Sequence, residues 1–309
     1  MKKVNTTLDA LYRSLLGPNR ADLALSFGRE PGVAPPQALL LRRARFVWWT
    51  DEVRDWGVYL DQLANSTAWR DVAAAVLAEK RSYIKLGPLG GTVIGGRPIR
   101  STGAINDVFR WRARLEIERL GLQHAYSRFV VTRADYYYAC ELNLDEASRA
   151  WRGAELHPRL VLIPKGSDYW GLNDRFAVCG AAMILACLTI IDPLVLEPER
   201  NRQAMSCGNH EVYYAQRMAE LGAHVERFPT VLFTVGSPAA DGGGWADKFW
   251  VQGNLTRDRI VASRGAFSHL PSEAPDPAFG LHVKYTDEYY AALASCFLRQ
   301  PLEALGVGR

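Results

Sequence analysis

Residues 126–141 read Tyr-Ser-Arg-Phe-Val-Val-Thr-Arg-Ala-Asp-Tyr-Tyr-Tyr-Ala-Cys-Glu, and this stretch decides the predicted fold. The β-branched and aromatic run 129–132 is typical of a strand that is buried on both faces of a sheet. The run stops at Arg133 and Asp135, and a charge at the end of a buried strand is costly unless another group pairs with it. Ligands bind at the carboxyl ends of strands in open α/β sheets, so Asp135 is a candidate for chemistry. The alternative is a turn aspartate that pairs with Arg133.

A second predicted strand, residues 160–164, also leads into an acid-containing segment. The segment 165–176 is polar, aromatic and glycine-containing, and it carries Asp168 and Asp174. Acids on two such loops can divide metal binding and proton abstraction between them. The sequence therefore predicts a site formed by two strand ends.

Alternating strands and helices over about two-thirds of the chain predict an α/β fold with a Rossmann-type, mostly parallel central sheet. No clear linker divides the 309 residues, so we expect one domain. Its α/β core would span residues 1–235, and a loop-rich C-terminal extension, 236–309, would pack on that core. The charge-free run 176–191 is shorter than the roughly 18 to 20 residues of a membrane-spanning helix, and it is predicted to be a buried core helix.

The glycine-rich segment 86–96 matches neither the dinucleotide-binding glycine pattern nor a P-loop. Two interpretations stay open, a flexible hairpin or lid and a loop that closes over a ligand. Ser101 and Thr102 precede a predicted helix, residues 106–120, whose first amides can hold a phosphate or sugar hydroxyl. A plain helix cap is the alternative for both residues.

The composition is that of an ordinary globular protein, with 48% hydrophobic and 23% charged residues. A net charge of +4 without a basic arm gives little support to a nucleic-acid partner. The five cysteines are odd in number, widely spaced and free of Cys-x-x-Cys pairs, so they are predicted to be buried free thiols in a reducing compartment. The N-terminus lacks the apolar core of a signal peptide, and a cytoplasmic location is expected.

Several motifs, taken in order, resemble a small GT-A-type glycosyltransferase family of large algal DNA viruses, bacteria and algae. The motifs are Thr-Arg-Ala-Asp-Tyr-Tyr-Tyr at 132–138, Gly-Leu-Asn-Asp-Arg-Phe-Ala at 171–177 and Asn-His-Glu at 209–211. Supporting segments are Gly-Pro-Asn-Arg-Ala-Asp-Leu at 17–23, Ser-Thr-Gly-Ala-Ile at 101–105 and Val-Lys-Tyr-Thr-Asp-Glu-Tyr at 283–289. The resemblance covers most of the chain and rests on the order and spacing of the motifs.

This resemblance implies a GT-A fold and transfer of a sugar from a nucleoside-diphosphate donor to a glycan or other hydroxyl acceptor. In that fold an Asp-x-Asp-like motif holds Mn²⁺ or Mg²⁺ against the donor diphosphate. Here Arg133-Ala134-Asp135 stands in its place, so Asp135 is the implied metal ligand and the first acid is missing. Phosphate oxygens and water can complete the shell of such a metal.

The chemistry of transfer assigns further roles. The charge that develops on a diphosphate leaving group needs neutralisation by a metal or by cations such as Arg133 or Lys284. An inverting transfer needs a carboxylate base, for which Asp174 is the first candidate and Glu211 the reserve. Their structural alternatives are an ion pair of Asp174 with Arg175 or a helix cap, and an acid in the first helical turn for Glu211.

Ser101, Gly103 and Tyr137 complete the predicted donor site, with packing as the main role expected of the tyrosines. Two other functions stay open. One is a non-catalytic carbohydrate-binding protein with a GT-A-like fold. The other is a metal-dependent nucleotidyltransferase or phosphotransferase that uses Asp135, although the sequence shows no second carboxylate beside it for a two-metal site.

Overall fold

A computed structural model describes residues 8–33, 39–79, 86–145, 158–166, 168–236, 282–283, 288, 291–292 and 295–296. The strands are β1 (Ala24–Arg29), β2 (Phe46–Asp51), β3 (Val93–Ile94), β4 (Arg97–Pro98), β5 (Arg128–Thr132), β6 (Tyr136–Tyr138), β7 (Leu160–Pro164), β8 (Phe176–Gly180), β9 (His224–Phe228), β10 (Leu232–Gly236) and β11 (His282–Val283). The α-helices are α1 (Leu39–Arg43), α2 (Gly57–Ala64), α3 (Ala68–Glu79), α4 (Gly103–Leu120), α5 (Leu122–Ala125), α6 (Ile184–Cys187), α7 (Asp192–Leu196), α8 (Arg202–Met205) and α9 (His210–Glu220). Tyr12–Leu16 is a π-helical turn and Gly87–Leu89 a 3₁₀ turn.

The main sheet has four strands in the order β5-β8-β7-β9. Strand β8 runs antiparallel to both of its neighbours, and β7 runs parallel to β9. A separate pair, β1 and β2, is parallel. The predicted α/β class is confirmed, but the prediction of a mostly parallel central sheet is wrong, because the sequence analysis did not recognise β8 as a strand.

The residues of the main sheet alternate between two hydrophobic clusters. Val161, Ile163 and Cys179 point into a large cluster shared with the helices. Leu162 and Val178 point to the other face, where they meet the three tyrosines of β6, part of β10 and the helical residues 292 and 296. The two-residue period of a strand places alternate residues on opposite faces, so both faces of this sheet are covered. Strands β7 and β8 are buried on both faces, whereas β5, for which the sequence predicted such burial, is an edge strand and half-buried throughout.

The prediction of a buried core helix over the charge-free run 176–191 is wrong. Residues 176–180 form β8 in the centre of the sheet, and a turn then leads to the short helix α6. A continuous apolar run has no periodicity that separates a buried strand from a buried helix, so its composition could not decide between them. Among the described residues, no helix is long and apolar enough to cross a membrane.

The glycine-rich segment is a packed hairpin, which rules out the lid interpretation for its first half. Residues 86–90 are buried, and β3 pairs with β4 across a turn at Gly95 and Gly96. A β-carbon added to Gly87 would lie 2.8 Å from the Cα of Asn209, so the backbone there approaches the start of α9 closely. Glycine is needed at this position for packing rather than for ligand access.

The prediction that the cysteines are free thiols is also wrong for four of the five. Cys140 forms a disulfide with Cys296, and Cys179 forms one with Cys187. Cys207 lies outside both disulfides. The odd count and wide spacing concealed these pairs, because one of them links positions 156 residues apart. The cysteines therefore give no support to the expected reducing compartment.

The Cys140–Cys296 disulfide is expected to stabilise the fold. Replacing Cys140 with serine should lower the free energy of unfolding by about 2–5 kcal/mol, because a cross-link across 156 residues restricts the unfolded chain. Urea denaturation without reductant measures this loss, with Cys207→Ser as the matched control. Identical unfolding curves for the unmodified protein and Cys140→Ser would contradict the cross-link.

Candidate functional site

The carboxyl ends of β5, β7 and β9 lie at one edge of the main sheet, beside the start of β8. Thr132 at the end of β5 pairs with Phe176 at the start of β8, and Pro164 at the end of β7 pairs with Phe228 at the end of β9. The acid-containing segments 133–135 and 165–175 therefore emerge at the same edge. This is the place where ligands bind in open α/β sheets.

Arg133 and Asp135 form a bidentate ion pair at this edge. The Nε atom of Arg133 donates to Oδ1 of Asp135 at 2.9 Å, and a terminal nitrogen donates to Oδ2 at 2.6 Å. The two side chains are 38% and 32% exposed, so a ligand at the sheet edge can reach them. The turn-aspartate alternative from the sequence is thus the arrangement that the structure shows.

The loop between β7 and β8 is fixed by its own polar side chains. Asp168 accepts two hydrogen bonds from Arg227, at 2.6 and 2.8 Å, and one from the backbone amide of Asn173 at 3.0 Å. The Asn173 side chain accepts from the amide of Arg175 at 3.0 Å and donates to the carbonyl of Gly166 at 3.3 Å. Asp168 is therefore a scaffold residue of the loop, and its position beyond a strand end reflects that role.

A buried cluster of four charged side chains lies behind the edge. His210, the first residue of α9, donates from Nδ1 to Asp174 at 2.7 Å and from Nε2 to Asp107 at 2.8 Å. Arg110 donates to Asp107 at 2.8 Å and to the backbone carbonyl of Asp174. With His210 protonated, two carboxylates are balanced by two cations. The cluster joins α4, the segment before β8 and α9.

The electrostatics of the cluster follow from this balance. Burial opposes protonation of His210, but the charges of Asp107 and Asp174 outweigh it and raise the pKa of the imidazole to about 10. Burial likewise opposes ionisation of Asp174, but the hydrogen bond and charge of His210 outweigh it and hold the pKa of that carboxyl well below its usual range. An acid with so low a pKa is a weak proton acceptor.

A second buried ion pair closes the edge from the C-terminal side. Arg175 contacts Glu288 at 2.9 Å, and both side chains are buried. The other carboxylate oxygen of Glu288 accepts from the backbone amide and the hydroxyl of Thr234, at 2.9 and 2.8 Å. Arg175 is therefore buried in an ion pair, and the guanidinium of Arg133 is more accessible than that of Arg175.

Glu211 differs from the other acids of the edge. It follows His210 in the first turn of α9 and is half-buried. Burial, reinforced by the negative charge of Asp174, raises the pKa of the Glu211 carboxyl above its usual range. Within the ranges that the structure describes, Glu211 makes no salt bridge. A half-buried carboxyl with a raised pKa is the usual environment of a general base.

The three other predicted donor residues that the structure describes lie in different local environments. Tyr137 is buried and packs on Phe233, with ring centroids 5.2 Å apart. Gly103 begins α4 against the glycine-rich segment, where an added β-carbon would lie 2.2 Å from the carbonyl oxygen of Gly87. Ser101 is exposed, and the neighbouring Thr102, the N-cap residue of α4, makes no side-chain capping bond. Lys284 lies outside the described residues.

Asp135 is already paired at the position where the resemblance implies Mn²⁺ or Mg²⁺. Both carboxylate oxygens of Asp135, the expected metal ligand, accept hydrogen bonds from Arg133. In the described part of the chain, no group of three or more His, Cys, Asp or Glu side chains is placed to hold a metal ion. The edge offers a guanidinium–carboxylate pair rather than an oxygen cage.

Asp107 and Arg110 were not among the site residues predicted from the sequence. Both lie on the face of α4 that also carries the buried residues Ala104, Val108 and Trp111. A charged pair spaced three residues apart on an apolar helix face is a detectable signal, because such a pair has to find partners when the face is buried. The sequence could not name those partners, which lie 64 and 103 residues away in the chain.

His210→Asn should destabilise the fold most strongly at neutral and mildly acidic pH. It leaves two buried carboxylates without their shared cation, which costs about 3–5 kcal/mol. The folded-state pKa of about 10 lies above the ordinary value near 6.5. The contribution of His210 is therefore complete below pH ~6.5 and is lost as the pH rises toward ~10.

Chemical denaturation of the unmodified protein and His210→Asn between pH ~6 and ~10 measures this difference. His224→Asn is the control, because His224 is exposed and pairs at 3.0 Å with the exposed Glu226 two residues along the same strand. A difference between the two proteins that stays constant over this pH range would show that His210 carries no buried charge.

Comparisons with known proteins do not assign this chain to a family. No protein-family model matches the chain, and no curated protein matches it significantly. Among solved structures, the chain is similar to xyloside xylosyltransferase 1 from mouse in its apo form, at 12% sequence identity and a TM-score of 0.38. The similarity covers 74% of this chain and 79% of that one. A likeness of this strength carries no conclusion about the fold or activity of this chain.

Proposed function

We propose that this protein is a glycosyltransferase that moves a sugar from a nucleoside-diphosphate donor to a hydroxyl acceptor with inversion. The motif resemblance supplies the reaction class. The observation that carries the proposal is the half-buried Glu211 carboxyl with a raised pKa at the edge where the strands end. That edge also carries the accessible guanidinium of Arg133.

In the proposed reaction, a carboxylate oxygen of Glu211 takes the proton of the acceptor hydroxyl. The acceptor oxygen forms a bond to the anomeric carbon while the bond from that carbon to the diphosphate oxygen breaks. A single displacement of this kind inverts the anomeric configuration. Glu211 suits the role better than Asp174, because burial raises its pKa toward the working range of a base, whereas His210 holds the pKa of Asp174 low. The sequence had ranked these two acids in the opposite order.

Arg133 is the proposed partner of the leaving diphosphate. A guanidinium offers paired donors that match phosphate oxygens, and it stabilises the charge that develops as the bond breaks. Asp135 would then orient Arg133 through their bidentate contact, at 2.9 and 2.6 Å. A metal remains an expectation from the resemblance, and no step above depends on one.

One alternative has a specific observation in its favour. If the protein binds carbohydrate without transferase activity, Asp135, the remaining acid of the Asp-x-Asp-like motif, needs no metal. Its ion pair with Arg133 agrees with that function. Such a protein would bind glycan but would neither bind nor cleave a nucleotide sugar. The two functions are therefore distinguished by donor hydrolysis.

Glu211→Gln should lower donor hydrolysis or transfer by about 10²–10⁴-fold, because the amide cannot accept the proton. The unmodified enzyme should lose activity as the pH falls through the raised pKa of Glu211, so its acidic limb lies above that of an ordinary glutamate. Hydrolysis of UDP-, GDP- and dTDP-sugars across pH measures both effects.

The matched control is Glu220→Gln, which removes an exposed acid at the other end of the same helix. Equal turnover in Glu211→Gln and the unmodified protein would exclude Glu211 as the base. Absence of hydrolysis of every donor, together with binding of free glycan, would favour the carbohydrate-binding alternative.

Arg133→Gln should weaken binding of the nucleoside diphosphate by about 10- to 100-fold, because hydrogen bonds to a charged group are worth about 1.5–3 kcal/mol. Asp135→Asn should give a smaller loss if Asp135 acts by orienting Arg133. Thermal shift and calorimetric titration with UDP and GDP, each with Mn²⁺ and with EDTA, measure these losses. A loss in Asp135→Asn that appears with Mn²⁺ and disappears with EDTA would instead identify Asp135 as a metal ligand.

A further inference from the structure

Trp170 is an unusually exposed aromatic side chain at the sheet edge. The residue is 94% exposed. The other large hydrophobic residues that are exposed in the described part of the chain are aliphatic: Val33, Val58, Leu120 and Leu196. An indole buries a large apolar area when it meets a partner, so its full exposure leaves that area open to a ligand.

The backbone holds this indole in an unusual conformation. Tyr169 and Trp170 have φ angles of 42° and 69°, both in the left-handed region. Bulky residues rarely adopt this region, and they keep it only when the surrounding structure enforces it. Two such residues in succession indicate that the surrounding structure specifies the backbone conformation from which the indole projects.

Three contacts enforce the conformation. The amide of Gly171 donates to the carbonyl of Asp168 at 2.6 Å, and the side chain of Asn209 donates to the carbonyl of Tyr169 at 2.7 Å. The amide of Leu172 donates to the carbonyl of Glu211 at 3.1 Å. An added β-carbon on Gly171 would lie 2.1 Å from that same carbonyl oxygen, so the loop presses directly against the start of α9. The loop that carries Trp170 is therefore held against the backbone of Glu211, the proposed base.

We propose that the indole of Trp170 is the stacking platform for a pyranose ring of the acceptor glycan. A pyranose combines an apolar C–H face with a rim of hydroxyls, and an aromatic face covers the apolar side while the hydroxyls stay in water. The loop of Trp170 packs on the residue that would deprotonate the acceptor, whereas Arg133, the proposed donor contact, follows a different strand. This placement favours the acceptor over the donor nucleotide as the partner of the indole. The inference rests on the proposed function and adds the acceptor subsite to it.

The test is a titration that does not require turnover. Trp170→Phe identifies the indole Nε1–H resonance of Trp170 in a ¹H–¹⁵N spectrum of the full chain. Xylotetraose, cellotetraose, mannotetraose, maltotetraose and chitotetraose are then added, with UDP and GDP as parallel arms. We expect at least one tetrasaccharide to shift this resonance. A shift with the nucleotides alone, or no shift with any ligand, would overturn the proposal.

Affinity for the tetrasaccharide that binds should fall by about tenfold in Trp170→Ala and recover largely in Trp170→Phe. Leu196→Ala is the control for removal of an exposed hydrophobic side chain, and the melting temperature should stay unchanged in all three variants. Unchanged affinity in Trp170→Ala would overturn the stacking role. Donor hydrolysis by the unmodified protein and by Glu211→Gln is measured separately, because it tests the proposed function, whereas glycan affinity in Trp170→Ala tests the acceptor subsite.

Discussion

The buried charge cluster of Asp107, Arg110, Asp174 and His210 is the constraint on which the sheet edge depends. Its members come from α4, the segment before β8 and the start of α9, so it holds three separate parts of the chain together. Buried charges are tolerable only when they are paired and hydrogen-bonded. Removing any one member would leave a charge uncompensated in the interior, which makes the four residues a single unit rather than three independent contacts.

The acids of the edge differ in how their negative charges are compensated. The carboxylate of Asp174 pairs with His210. That of Glu288 binds Arg175 and Thr234, and that of Asp135 binds Arg133. Glu211 differs, because burial and the nearby ionised Asp174 raise the pKa of its carboxyl. Pairs of acids with pKa values moved in opposite directions are a common feature of sites that transfer protons.

Local chemistry explains which parts of the structure the sequence could predict. Strands at 160–164 and 129–132 were identifiable because compact β-branched runs end at Pro164 or at charges, and the structure places strands there as Leu160–Pro164 and Arg128–Thr132. Strand β8 was not, since an unbroken apolar run lacks the period that distinguishes strand from helix. The disulfide to Cys296 and the partners of Asp107 depend on chain segments far apart in sequence, and a single sequence contains no record of which distant residues meet.

The ranking of Asp174 and Glu211 shows the same limit at the level of chemistry. Both are acids at the start of a structural element, and residue type alone assigns them the same reactivity. Their difference arises from two adjacent residues of α9, because successive side chains on a helix point about 100° apart. His210 lies buried between Asp107 and Asp174, so the side chain of Glu211 is turned away from the cluster and is half-buried. The hydrogen bonds of His210 thus anchor the start of α9 and lower the pKa of Asp174. The same placement of His210 leaves Glu211 outside the cluster.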